Sequence, residues 1–403
     1  MASTDHAGSS TRNPITVMDL FAGCGGLTAG FHSYSEGHPS PARFESIAAV
    51  EFDGAAAATY AVNHPSARVY ACDIRDFDPA PYADQADVIA GGPPCQGFSS
   101  LGKQHADDPR NEMWREYMRT VEIVRPKIFV LENVDRFLVS AEFAQLQEAA
   151  APGGALADYQ LATKIVNSAD YGVPQARKRV IVIGTRKDIP QLLHPAPTHA
   201  KSVKLQEATL FSAEEDTGRL PWVSVAGIFE RSARLEITGT DLPPLSCAPL
   251  GRQVPGAFRT TDLHIGRTPK PLSLARYAAI PVGGNRRNLQ GKYALIHGHE
   301  VYLSTESWDR HTSGTGDVMG RLYPDRPAVT IRTEFFKPEK GRYLHPTRHR
   351  PITHYEAALI QGFPDTYKWC GTKIEIARQI GNAVPVGLGR ALAQAIHAHL
   401  LAR

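Results

Sequence analysis

The 403-residue chain has only five cysteines, Cys24, Cys72, Cys95, Cys247 and Cys370, and no CxxC pair among them. An odd, scattered set supports neither a disulfide framework nor a structural zinc site, and it fits a reducing compartment such as the cytoplasm. No apolar run approaches the 18 or so residues of a membrane span, so no membrane partner is expected. The first fourteen residues are small and polar, lack the basic start and apolar stretch of a leader, and read as a flexible tail. Metal-site spacings are also missing. His297-Gly298-His299-Glu300 matches neither HExxH nor a zinc finger, so no metal is expected there. Residues 312–321 (TSGTGDVMGR) resemble a phosphate loop but lack its Lys-Ser/Thr, which argues against nucleotide hydrolysis. Charge of one sign is scarce as well: the net is +3, with 21% charged and 42% apolar residues. Such a composition folds, and its slight positive balance suits a polyanion without establishing one.

What is present is a repeating alternation. ITVMDL (15–20) reads as a strand and is followed at once by the Gly-rich FAGCGG. Residues 46–50, 69–72, 87–90 and 127–131 read as further strands, 54–63 and 111–124 as helices, and 162–166 with 179–184 as a later strand pair. Strands alternating with helices predict an α/β fold, a doubly wound and mostly parallel sheet, over residues 15–187. Residues 188–325 are rich in Pro, Gly and Arg, without clear alternation, and read as a second, smaller irregular domain. Helical pattern returns at 353–361 and 375–400, the latter read as one amphipathic helix.

Asp19, Glu51, Asp73, Cys95 and Glu132 each fall at or just beyond the C-terminal end of an apolar run. Ligands bind at that edge of an open α/β sheet. Gly23, Gly25 and Gly26 permit close approach to a ligand, a tight turn with no ligand being the lesser alternative from the turn alone. Glu51 is placed to accept from ribose hydroxyls and Asp73 from an adenine amino group. The GxGxxG spacing of nicotinamide sites is absent. In GGPPCQGFS (91–99), paired glycines and prolines fix a bend that presents Cys95 rigidly at the sheet edge. The alternative is a buried structural cysteine.

The ordered strings DLFAGCGG, Glu51-Phe52-Asp53, Asp73-Ile74, GGPPCQGFS, Glu132-Asn133-Val134, Gln175-Ala176-Arg177-Lys178-Arg179 and Gln379-Ile380-Gly381-Asn382-Ala383-Val384-Pro385 resemble the DNA (cytosine-5)-methyltransferase family, of the bacterial modification type. That resemblance implies the S-adenosylmethionine-dependent methyltransferase fold, with Phe21, Gly23, Glu51, Asp73, Ile74, Pro94 and Asn382 around S-adenosylmethionine. It implies Cys95 as nucleophile, Glu132 as partner of the base, and Arg177 and Arg179 as anchors near the cytosine carbonyl and its phosphate. Asn133 would stiffen the loop carrying Glu132.

By the same resemblance, residues 15–187 form the catalytic and cofactor domain and 188–325 the target-recognition domain. Residues 326–373 brace the two, and 374–403 return as a C-terminal helix. The partner implied is double-stranded DNA, with a restriction endonuclease as a functional companion; a monomer is the default. Arg252, Arg259, Arg267, Arg276, Arg286, Arg287 and Arg310 read singly as solvated charges and together as a DNA-facing surface. A tRNA-modifying relative and a catalytically silent DNA-binding regulator are the alternatives. The first is disfavoured by the long middle region and the absence of a Cys-Phe-Thr string, the second by the presence of both Cys95 and Glu132.

Overall fold

The computed structural model describes residues 13–37, 43–94, 113–201, 218–310 and 316–401. Its centre is a seven-stranded sheet. The strands are β1 (Ile15–Leu20), β2 (Phe44–Val50), β3 (Arg68–Tyr70), β4 (Val88–Gly91), β5 (Ile128–Asn133), β6 (Tyr159–Asn167) and, after the two-residue β7 (Gln175–Ala176), β8 (Lys178–Arg186). Their order is β3-β2-β1-β4-β5-β8-β6. The first five pair in parallel, and β8 runs antiparallel to both β5 and β6. The expected mostly parallel sheet is therefore present, with one reversed strand near an edge.

Side-chain alternation makes the sheet two-faced. Val17, Val88, Val130, Ile181 and Ile183 pack with helices α1 (Gly26–Glu36) and α10 (Val386–Leu401). Met18, Ile89, Phe129, Leu131 and Val182 face the opposite way, toward α3 (Met113–Val124) and α4 (Ala141–Ala150). Helices on both faces define the doubly wound arrangement. Helix α2 (Gly54–Asn63) starts at Asp53, whose carboxylate accepts from the amides of Ala55 and Ala56.

Between 188 and 325 the elements are short: α5 (Ala226–Ser232), α6 (Pro271–Ala279), α7 (Glu306–Arg310) and a hairpin, Tyr293–Ile296 with His299–Tyr302. His297 and Gly298 form its two-residue turn, both at positive φ (50° and 83°), so the His-Gly-His-Glu string is hairpin geometry. Phe229 and Phe258 from this stretch share a core with α8 (His354–Gln361) and α9 (Lys373–Asn382).

The expected single helix over 375–400 is corrected. It is two helices, α9 and α10, separated by Ala383-Val384-Pro385. Pro385 has no amide to donate and restricts Val384 to extended backbone, so the helix breaks there. The break turns α10 onto α1, where the two meet at glycines. A Cβ on Gly30 would stand 2.6 Å from the backbone of Gly389 and Arg390. Gly30→Val is expected to cost about 1–3 kcal/mol through that overpacking, read as a lower midpoint in denaturant unfolding. An unchanged midpoint would show that the helices do not cross at this spacing.

Candidate active site

One cavity of about 870 Å³ opens at the C-terminal edge of the strands. Its volume falls in the range of roughly 300–1,000 Å³ usual for small-molecule sites. Phe21, Gly23, Glu51, Asp73, Ile74, Pro94, Glu132, Arg177, Arg179 and Asn382 all line it, which brings together every sequence-predicted site residue within the described chain. Cys95 lies outside the described residues; Pro94, its neighbour, is at the cavity wall.

The glycine turn sits after β1. Phe21 and Gly23 both have positive φ (54° and 55°), and a Cβ on Gly23 would meet nothing within 4 Å. The turn is held by Glu51, whose two oxygens accept from the amides of Gly23 (2.8 Å) and Asp53 (2.7 Å). Burial raises the Glu51 carboxyl above its ordinary value, and the two backbone donors oppose the rise. Each oxygen keeps capacity for another donor. Asp73 is differently engaged. It grips Arg75 through Nε (3.0 Å) and Nη2 (2.8 Å), and these bonds hold its carboxyl below the usual value. An adenine amino group at Asp73 would share the carboxylate with that arginine.

Glu132 ends β5 beside the reversed strand β8. Arg179 Nε lies 2.9 Å from its Oε1 as an ion pair out of hydrogen-bond alignment, so this buried oxygen has no hydrogen-bond donor among the described residues. Gly92 gives the carboxylate its room, because a Cβ there would stand 2.9 Å from Oε2. Asn133 donates to the Pro93 carbonyl (3.1 Å) and accepts from the Val134 amide (2.8 Å). It thereby ties the strand end carrying Glu132 to the segment leading into Cys95. Arg177 is only 4% exposed, and its Nη1 donates to the carbonyls of Ile331 (3.2 Å) and Gly381 (3.0 Å). Burial lowers its pKa, with Arg179 adding to the effect. It therefore braces the cavity wall, while its Nε has no partner among the described residues.

Among the lining residues that sequence reasoning did not assign to the site, three bear on its chemistry. Phe52, 77% exposed, offers a bare ring between Glu51 and Asp53. Arg332 and Arg378 add cationic groups, Arg378 approaching Asp53 at 3.5 Å. Phe52 was visible in the quoted Glu51-Phe52-Asp53 string. Arg332 reaches the site because its backbone packs where a Cβ on Gly381 would stand (2.5 Å), a contact between segments about fifty residues apart. The seven arginines of the middle region divide, which corrects their reading as one DNA-facing set. Arg286 is buried, and Arg276 is half-buried, bonded to the Leu303 carbonyl and stacked on Trp308. Arg252, Arg259, Arg267, Arg287 and Arg310 remain exposed, Arg310 in an ion pair with Glu306.

The model of the C-5 cytosine-specific DNA methylases matches residues 15–223 and 282–398. The chain belongs to that family and is a DNA (cytosine-5)-methyltransferase. It is 31% identical to the Type II methyltransferase M.DdeI of Desulfomicrobium norvegicum, over 95% of this chain and 88% of that one. It is 29% identical to the Type II methyltransferase M.NgoPII of Neisseria gonorrhoeae, over 96% of each. Among solved structures it superposes on the S. pombe Dnmt2 methyltransferase with a TM-score of 0.53 at 15% identity, covering 96% and 99% of the two chains, a likeness of fold. No helix among the described residues is long and apolar enough to cross a membrane, and no cluster of metal-binding side chains occurs among them.

Beneath the turn, Asp19 is 2% exposed and accepts from the Thr28 hydroxyl at 2.5 Å. Burial pushes its carboxyl from 3.8 up to about 8, outweighing the Thr28 bond. Between those values the folded chain keeps a proton that the unfolded chain has released, so this group lowers stability as pH rises from about 4 to about 8. Asp19→Asn retains an acceptor for Thr28. Its stability relative to wild type is expected to rise across that window and level off above it. Denaturant unfolding at pH 5 and pH 8 measures this, and a difference that does not grow with pH would show Asp19 to be ionised.

Proposed function

We propose that this enzyme transfers a methyl group from S-adenosylmethionine to carbon 5 of a cytosine flipped out of a specific double-stranded DNA sequence, through a covalent Cys95–cytosine intermediate. The observation that carries the reading is the convergence of Glu132, Arg177 and Arg179 with Pro94, the residue before Cys95, on the cavity that also holds Glu51 and Asn382. The cavity fits the methyl donor. A buried carboxylate with spare acceptor capacity suits a ribose, the exposed Phe52 ring and Ile74, both lining the cavity, suit a purine, and open space at Gly23 admits the chain of the ligand. Phe21, Gly23, Glu51, Asp73, Ile74, Pro94 and Asn382 would hold it. When bound, S-adenosylmethionine supplies a methyl group on a positively charged sulfur.

The chain's own groups prepare the base. Carbon 5 of cytosine is a poor nucleophile until the Cys95 sulfur adds to carbon 6 and pushes electrons into the ring. Glu132 in its protonated form hydrogen-bonds ring nitrogen 3 and accommodates that charge. Arg179, paired with Glu132, and Arg177 serve as anchors near the cytosine carbonyl and its phosphate. Loss of the carbon 5 proton and expulsion of the Cys95 sulfur restore aromaticity. A base inside the stack cannot reach this cavity, so it is flipped at a cost of a few kcal/mol that DNA contacts offset. Residues 188–325 serve target recognition, with the exposed Arg252, Arg259, Arg267, Arg287 and Arg310 facing DNA. Likeness to bacterial Type II methyltransferases supports a modification enzyme with a restriction endonuclease as its functional companion; a monomer in the bacterial cytoplasm is the default that goes with that reading.

Labelled methyl transfer to duplex DNA and to tRNA tests the substrate, and label in tRNA alone would overturn it. With duplex DNA carrying 5-fluorocytosine at the target, wild type should form an adduct that survives denaturing electrophoresis, and Cys95→Ala should form none. An adduct with Cys95→Ala, or none with wild type active on ordinary DNA, rules out the covalent route through Cys95. Glu132→Gln should lower kcat by roughly 10²–10⁴-fold while leaving S-adenosylhomocysteine binding unchanged by calorimetry. A variant that keeps wild-type kcat has no proton work at Glu132.

A further inference from the structure

Cys247 and Cys370 are separated by 123 positions, yet their sulfurs lie 3.5 Å apart as free thiols. The two come from different parts of the molecule. Cys247 belongs to the stretch between residues 223 and 282 that the family model leaves unmatched. Its short strand, Ser246–Cys247, pairs with Val254–Pro255, and the Pro255 carbonyl accepts from the amide of Gly371 (2.8 Å). The next residue, Gly256, is pressed on Cys370: a Cβ there would stand 2.6 Å from the Trp369 carbonyl oxygen and 3.3 Å from Cys370 Sγ. The approach of the two sulfurs is thus fixed by backbone on both sides.

Cys370 is also wired to the cavity. Its amide donates to Thr59 Oγ1 on α2 (2.8 Å), and its carbonyl accepts from Gln379 Nε2 on α9 (2.9 Å). The Gln379 carbonyl in turn lies 3.7 Å from Cys24 Sγ, and Gln379 and Cys24 both line the cavity.

We propose that Cys247 and Cys370 form a reversible disulfide that ties the unmatched segment to the wall of the methyl-donor cavity. The sulfurs must close by roughly 1.5 Å, from 3.5 Å to a bond of about 2.05 Å. The oxidant is a small-molecule disulfide such as oxidised glutathione. Cys247, the partly exposed member, attacks it as a thiolate, forming a mixed disulfide and releasing one glutathione thiolate. Cys370 then attacks the Cys247 sulfur and releases the second. Two protein thiols are oxidised, one glutathione disulfide is reduced to two thiols, and the two protons pass to them. Burial raises the Cys370 thiol above its usual range, which puts it second in this order. Drawing Cys370 toward Cys247 pulls its carbonyl from Gln379, so the cross-linked form binds the donor's product more weakly.

The full-length chain is incubated with oxidised glutathione, its remaining thiols are blocked, and it is digested without reductant for mass spectrometry. The expected product is a peptide pair joined through Cys247 and Cys370, lost on adding dithiothreitol and absent from Cys247→Ser, a partly exposed position whose change leaves the fold intact by circular dichroism. Glutathione stopping as an adduct on Cys247, or both thiols recovered unreacted, overturns the cross-link. Calorimetry with S-adenosylhomocysteine should show about threefold or weaker affinity in the oxidised chain, restored by dithiothreitol. Unchanged affinity in a verified cross-linked chain overturns the coupling. That second arm rests on the donor reading of the cavity, whereas the peptide map does not, so no binding in either redox state refutes the donor reading instead.

Discussion

The cavity depends on close backbone packing of the glycine turn on the α9–α10 break and of that break on the segment at Thr333. A Cβ on Gly26 would stand 2.5 Å from the Val384 carbonyl oxygen, and one on Gly381 would stand 2.3 Å from the Thr333 amide. Neither contact admits a side chain. Asn382 can therefore line the cavity together with Gly23 only while Pro385 breaks the last helical stretch and sends α10 back across α1. The glycine turn, the broken helix and the close crossing of Gly30 and Gly389 are one constraint seen at three places. Gln361 secures the break from below, its amide donating to the carbonyls of Ile380 and Ala383.

In that cavity the charged groups are arranged by how much water each has lost. Glu132 and Arg179 are mostly buried together, with side chains 12% and 17% exposed. Desolvating two ions is repaid only if their remaining hydrogen-bonding capacity is met. Here it is not fully met, since Glu132 Oε1 and Arg177 Nε have no hydrogen-bond partner among the described residues. Structural ion pairs avoid that condition. The pair Arg350–Glu356 shows the contrast: both Glu356 oxygens accept from the Arg350 guanidinium, Ser232 Oγ donates to one and the Thr353 amide to the other. Unmet capacity on Glu132 and Arg177, which both line the cavity, suits a site that takes a polar ligand.

The legible parts of this molecule are those set by neighbours in sequence. Short continuous apolar runs marked β1, β4 and β5, and the acid following such a run marked Glu51 and Glu132, because a buried parallel strand and its end are local properties. Arg177 was found by its motif, but its work was not visible: its carbonyl partners lie 154 and 204 positions away. The break at Pro385 carried a local signal, yet helical periodicity on both sides of it masked the stop. Phe52 carried no signal of its own beyond its place between Glu51 and Asp53, and the fold shows its ring to be exposed.

The middle region was hardest to read because one composition serves two purposes there. Arginine costs much to bury unless its fork of donors is met, and loops rich in Gly and Pro offer carbonyls that no helix or sheet has claimed. Arg321 bonds the carbonyls of Ile280, His345, Arg348 and Tyr277, and Arg342 those of Gly283, Gly284 and Arg321 while pairing with Asp317. These side chains do between loops what a ladder does between strands. The small apolar cluster of Tyr277, Ile280, Leu289, Leu303, Met319 and Leu344 is too limited to order so long a stretch by itself. An arginine count over such a segment thus measures scaffold and surface together. Only donors left facing solvent are available to nucleic acid, because withdrawing Arg321 or Arg342 to meet a phosphate would leave several buried carbonyls without partners.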